Sequence, residues 1–400
     1  MKQRFIAVIA AAAAGFLVLG IVAAKPHRPV RTHRAAKAVT TASGPAASCS
    51  ARNPHVAVPG APHGMYVWNP YKVQGGKFEK TLEANVIGKD PTLCGVSLVV
   101  LWSSVERSKG SFDWSGIATQ AQPYLNAHLR VNLLFADASE VGSSDSATPS
   151  WVFTQGRVAK VQCPKQPDYP NFIDPKFEAD WAAFIAAAVK KYGSDPSIGY
   201  MRFGVGAGVE AYPGHMEDAS AKSQPCYDAW VKVAHWTYAK WLKHSLNVVD
   251  ALARQGSSKQ LMVALNSIRN SPGIYAYANS VGAAAAPRGV AIGIENLGIA
   301  HVADPGAKPG PCDPKATKVN LYWCQAFRRH AGKIPLEAQP IVATTAGSED
   351  GYKLDITNLL KYALANRIQI LELYPQEWAV GNAEHKAALR ATAQVLGTGK

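Results

Sequence analysis

The chain has 400 residues, a formal charge of +14 and 48% hydrophobic residues, enough for one large domain or two ordinary ones. The charge is uneven. Lys2, Arg4, Lys25, Arg28, Arg31, Arg34 and Lys37 meet no acid within the first 48 residues, which leaves +7 for the remainder. No basic stripe with interleaved aromatics runs through the body, so composition argues against a nucleic-acid partner.

In chain order, Lys2 and Arg4 precede an uncharged apolar run from Phe5 to Ala24, ending on the small residues Val22, Ala23 and Ala24. Residues 1–24 therefore read as a cleaved signal peptide or an uncleaved anchor, since about 20 residues at about 1.5 Å each can cross a bilayer. Basic residues flank both ends, so charge does not orient it. Either reading exports the chain: secreted, periplasmic, or tethered to the outer face of the cytoplasmic membrane. Residues 25–48 are rich in Ala, Pro, Thr and basic residues without apolar periodicity, and read as a disordered linker. Residues 49–400 are left for the folded domain.

Within that domain, eight apolar runs recur: His63–Trp68, Gly95–Trp102, Arg130–Ala136, Ile198–Phe203, Leu261–Asn266, Gly289–Ile294, Ile334–Ala338 and Ile368–Tyr374. Helical patterns separate them. Asp174 and Pro175 form an N-cap and first-turn pair, Phe177, Trp181, Phe184, Ile185, Ala188 and Val189 keep one face, and Gly193 closes the helix. Trp230, Val233, Trp236, Trp241, Leu242, Leu246 and Val249 predict a second, long helix closed by Gly256. Strands alternating with helices are parallel strands, and eight units suit a single (β/α)₈ barrel with long βα loops. A doubly wound open sheet is the rival, usually with fewer strands and a phosphate loop after the first. The run Gly204–Val209 imitates a dinucleotide fingerprint, but its sixth position is Val209 and no ribose-binding acid follows at the usual distance. Its glycines are better read as a sharp bend at a barrel rim.

Six cysteines in an exported chain suggest three disulfides. Cys312 and Cys324 are close in sequence, Cys163 and Cys226 both lie in loops after adjacent strands and could staple them, and Cys49 and Cys94 are left to tie the start of the domain to the second strand; the sequence leaves the connectivity open. No metal-ligand spacing is present, and no metal or organic cofactor is expected.

Several stretches resemble retaining glycoside hydrolases of the (β/α)₈ clan, especially β-galactosidase-like members. They are Trp102–Trp114 (WSSVERSKGSFDW), Leu129–Phe135, Ala147–Trp151 (ATPSW) and the segment from Asp174 to Tyr200. The resemblance implies an acid/base glutamate just after the fourth strand and a nucleophile on the seventh. Glu210, in Ile198–Gly214 (IGYMRFGVGAGVEAYPG), and Glu337, in Ile334–Gln339 (IPLEAQ), hold those places. In the family the residue before the acid/base is commonly Asn; here it is Val209. Such a pair cleaves a glycosidic bond by protonating the leaving oxygen and attacking the sugar carbon. Glu295 and Glu372 are rivals for the second role or substrate ligands, whereas Glu106 is expected to be a structural ion-pair partner. Flat aromatic faces for sugar stacking are expected from Trp102, Trp378, Trp151 and Tyr374, with Tyr212 beside the acid; Asp137, Asn266 and Asn296 are candidates for hydroxyls. Trp181, Trp236 and Trp241 lie at helical spacing and read as core. The expected partner is an oligo- or polysaccharide. A barrel that binds cell-wall or matrix saccharide without turnover is the alternative.

Overall fold

The computed structural model describes residues 62–68, 88–139, 146–214, 223–266, 268, 274–297, 329–340, 344, 355–379 and 382–396. The expected signal or anchor, the linker, Cys49, Cys312 and Cys324 lie outside these. Among the described residues no helix is long and apolar enough to cross a membrane.

Eight strands close into one parallel barrel: β1 (Gly64–Trp68), β2 (Leu93–Leu101), β3 (Arg130–Ala136), β6 (Ile198–Phe203), β7 (Gln260–Leu265), β8 (Ala291–Leu297), β9 (Leu336–Pro340) and β10 (Ile370–Leu373). Between β3 and β6 a short antiparallel hairpin, β4 (Lys160–Gln162) and β5 (Asp168–Pro170), stands apart from the barrel. Each of the eight apolar runs coincides with a barrel strand. Parallel strands are buried on both faces and so read as continuous apolar segments. The inward set includes Tyr66, Trp68, Leu134, Tyr200, Met262 and Ile370. The outward set packs under the helices with Val96, Leu98, Phe135, Phe203, Val263 and Leu371.

Helices follow the strands. They are α1 (Trp102–Val105), α2 (Ser115–Asn126), α3 (Pro175–Tyr192), α4 (Gln224–Ala234), α5 (Tyr238–Ala253), α6 (Ile274–Ala285), α7 (Ile356–Ala365), α8 (Gln376–Ala379) and α9 (Ala383–Val395). Asp174 caps α3 by accepting from the Lys176 amide at 2.8 Å, and Gly193 ends it as expected. The predicted long helix over Trp230–Val249 is instead two. His235 adopts a left-handed conformation (φ 48°) and Thr237 starts α5 by accepting from the Lys240 amide. The apolar periodicity runs in phase through this break, which is why the sequence pattern conceals it.

Cys163, in the hairpin turn, is bonded to Cys226 in α4. Cys94 is also in a disulfide, whose partner lies outside the described residues.

Candidate active site

β6 ends at Phe203 and the chain bends back on itself within seven residues. Gly204 N–H donates to Phe135 O at 2.8 Å, Val205 N–H to Glu210 O at 3.0 Å, and Ala207 N–H to Tyr212 O at 2.8 Å. Gly208 takes a left-handed φ of 67°, and a side chain at Gly206 would collide with the Tyr212 carbonyl. The glycines thus permit a bend that sets Glu210, half-buried, at the carboxyl end of the barrel. Asn266, directly after β7, donates its amide to the Glu210 carboxylate.

Below this rim the barrel interior is polar. Arg202 from β6 has no exposed surface, and its Nη1 lies 3.2 Å from Glu337 of β9 and 3.3 Å from Glu372 of β10, both equally buried. Room for the Glu337 carboxylate comes from Gly293 on β8, where any Cβ would overlap it. Tyr200 donates its hydroxyl to Glu372 and lies 3.2 Å from Ser97, to which Asn132 donates at 3.1 Å. Burial, followed by the charge of Glu372, pushes the Tyr200 hydroxyl well above the usual tyrosine range, so it serves as a donor at any ordinary pH.

Asp137, one residue past β3, is fully buried beside Gly204. Burial pushes its carboxyl well above the usual range, against the smaller pull of the amides of Asp137 and Ala138, and it is neutral where other carboxylates ionise. It underlies the start of the Glu210 bend.

The aromatic residues divide differently from the sequence expectation. Trp102 has no exposed surface. It packs against Trp151, Phe177, Trp181 and Phe184 outside the barrel wall and donates to Glu106 at 2.7 Å, so it is core and offers no face to a sugar. Trp151 is half-buried on the same flank, its indole donating to Glu106 O. Glu106 is structural, but as a hydrogen-bond acceptor from Trp102 and the Gly110 amide rather than an ion-pair partner. Tyr212 is buried among outward-facing apolar side chains. Trp378 turns away from the mouth, its Nε1 donating to Thr92, the residue before β2, at 3.1 Å. Tyr374 does sit where β10 ends, edge-on to Trp68 with ring centroids 5.3 Å apart. Trp68 was not singled out from sequence, although the alternation Tyr66, Trp68 marks it as the last inward side chain of β1. Glu295 and Asn296 belong to β8, and their side chains lie outside the described residues.

A second residue missed from sequence is Glu377. Fully buried in α8, it accepts from the amide and hydroxyl of Thr344, past β9, and pairs with His385 of α9 at 2.9 Å. It ties the segment after the Glu337 strand to the last helices. Among the described residues no group of three or more His, Cys, Asp or Glu is placed to hold a metal ion.

No family model and no curated protein matches the chain. Among solved structures it is similar to the catalytic domain of a β-amylase from Paenibacillus polymyxa (13% identity, 84% of this chain, 90% of that one, TM-score 0.41). It is also similar to a β-galactosidase from the psychrophilic Marinomonas ef1 (11%, 83%, 59%, 0.47) and to a GH5-4 broad specificity endoglucanase from an uncultured bacterium (12%, 83%, 93%, 0.43).

Proposed function

We propose that this barrel is a glycoside hydrolase in which Glu210 protonates the leaving oxygen. The observation that carries the reading is local. Glu210 is half-buried at the carboxyl end of the barrel, held by Asn266 from the next strand, above an interior that supplies two more carboxylates. The motif resemblance adds the finer claims: a β-linked saccharide, retention of configuration, and Glu337 as the nucleophile that forms the glycosyl-enzyme. Glu210 then removes the proton from the water that releases the sugar. The apolar segment at residues 5–24 adds export, with the barrel free outside the cell or tethered to the membrane.

One observation favours a second reading. Glu337 has no exposed surface and faces Arg202, the arrangement of a structural ion pair in a barrel that binds saccharide without turnover.

Aryl glycosides of graded leaving-group acidity separate the two. In a hydrolase, Glu210→Gln should keep most of kcat/KM on dinitrophenyl glycosides, with kcat lowered because the water loses its base, and lose on the order of 10²–10⁴-fold in kcat/KM on substrates whose leaving group needs a proton. Proton NMR of the first-formed anomer reads retention directly. Equal loss on both substrate classes would remove Glu210 from the acid role. Saccharide binding without turnover in the parent chain would establish the second reading.

A further inference from the structure

The residues leading into β2 and the helices after β10 line a shallow concavity that opens to solvent. Its position is set by Thr92, which precedes β2 and so marks the amino end of the barrel, opposite Glu210 and Asn266. A ring lying against it would stay partly in solvent, so recognition there rests on the chemistry of the walls.

The walls combine three chemistries. Trp378 supplies a half-buried aromatic face whose orientation is fixed, because its Nε1 donates to Thr92 Oγ1 at 3.1 Å. The Thr92 hydroxyl and amide both donate to Asp90 Oδ1, at 2.6 and 2.9 Å, so Asp90 Oδ2 takes no part in that chain. Lys386 and Arg390 lie one turn apart on the exposed side of α9, and both line the cavity. Leu389 forms its apolar floor between them. A fixed indole, a carboxylate oxygen and two cations within one small concavity form a ready set of stacking, accepting and donating groups.

The geometry points to an accessory binding site for one ring of an acidic saccharide. The ring stacks on Trp378, a hydroxyl donates to Asp90 Oδ2, and the acid group of the sugar, carboxylate or phosphate, meets Lys386 and Arg390. Two cations against one carboxylate leave the cavity with one excess positive charge, which selects an acidic ring over a neutral one. Nothing in this assignment depends on hydrolysis at the opposite rim.

Titration calorimetry on the full chain tests it with three probes: a galacturonate tetramer, cellotetraose and inorganic phosphate. The galacturonate tetramer should bind, and more weakly at 200 than at 20 mM salt. Lys386→Ala combined with Arg390→Ala, both on the exposed face of α9, should weaken it at least tenfold without altering the circular dichroism spectrum. Trp378→Ala should do the same if the fold survives, and Glu210→Gln should leave binding unchanged. An unchanged affinity in the Lys386/Arg390 double variant overturns the proposal. Equal binding of cellotetraose removes the acidic selectivity, and phosphate competing as well as the tetramer reduces the site to an anion sink; either also overturns it. Loss of binding in Glu210→Gln would place the ligand at the barrel mouth instead.

Discussion

The Asp137 carboxyl shows how one side chain can be set by its surroundings against its own chemistry. Desolvation holds its proton on, and Gly204 is required opposite because any Cβ there would overlap Asp137 Oδ1. The linkage has a definite sign. In the unfolded chain the group ionises near pH 3.9, whereas in the folded one it does so at much higher pH. Its contribution is therefore full below about pH 3.9 and is lost as pH rises towards the folded value. Asn in its place keeps the shape and removes the titration. Asp137→Asn should match the parent near pH 4 and gain on it at higher pH, by at most about 1.4 kcal/mol per unit. Urea denaturation at pH 4, 5.5 and 7 reads this, and a difference that does not change with pH would refute it. The same scale explains which residues sequence reading misplaced. Trp102 looked like a ligand face because it ends a strand. Yet Leu101 before it packs on the inward side, so Trp102 must face out, into the ring cluster beneath α3. Trp378 follows a strand by five residues, far enough for a helical turn to carry it round the outside of the wall.

Helices α3 and α5 are joined by a polar clasp that reaches the Glu210 bend. Glu178, in the first turn of α3, accepts from Asn247 at 3.0 Å and pairs with His244 Nδ1 at 3.0 Å. The other nitrogen of His244 lies 3.2 Å from the carbonyl of Val205, inside the bend. Burial pushes the Glu178 carboxyl up, but His244, Asn247 and Lys243 outweigh it and hold it below the usual range. A depressed carboxylate contributes stability that is present above its unfolded value, about 4.3, and is lost as pH falls through the folded value. Glu178→Gln should cost on the order of 1–2 kcal/mol at pH 7, and the gap should close as the medium is acidified below about pH 4. Thermal denaturation of both proteins across that range checks it. A gap that widens in acid would show that His244, not Glu178, governs the clasp. Element boundaries were legible where a cap advertised them, as with Asp174 and Pro175 before α3. They were hidden where apolar spacing carried through a break, as between Ala234 and Tyr238. The signal for that break was Thr237, whose side chain caps α5.

At the scale of the whole barrel, what could be read from sequence follows from what each strand buries. The eight runs stood out because their apolar residues face two layers at once. The interior charges did not group themselves, because Arg202 and Glu337 stand 135 residues apart and meet only when the barrel closes. Glu210 could be placed by its glycines, but not its tie to Asn266 from the next strand. Closure also gives weight to the covalent tie between the β4–β5 turn and α4, Cys163 to Cys226, a pairing that sequence position did suggest. The bond spans 63 residues and encloses β5, α3, β6 and the Glu210 bend. In the chain-entropy account, a cross-link over a loop of that length removes about 4 kcal/mol of freedom from the unfolded state, and measured values are typically about 2–4. Cys163→Ala with Cys226→Ala should therefore lower stability by about 2–4 kcal/mol while leaving the far-ultraviolet circular dichroism of the folded barrel unchanged. The effect should also mark the unfolded side: a chain released from its loop exposes more surface, so the urea m-value should rise as the midpoint falls. A lower midpoint with unchanged m would place the stabilisation in native contacts around the hairpin instead. An unchanged midpoint would mean that β4, β5 and α4 hold their places without the bond.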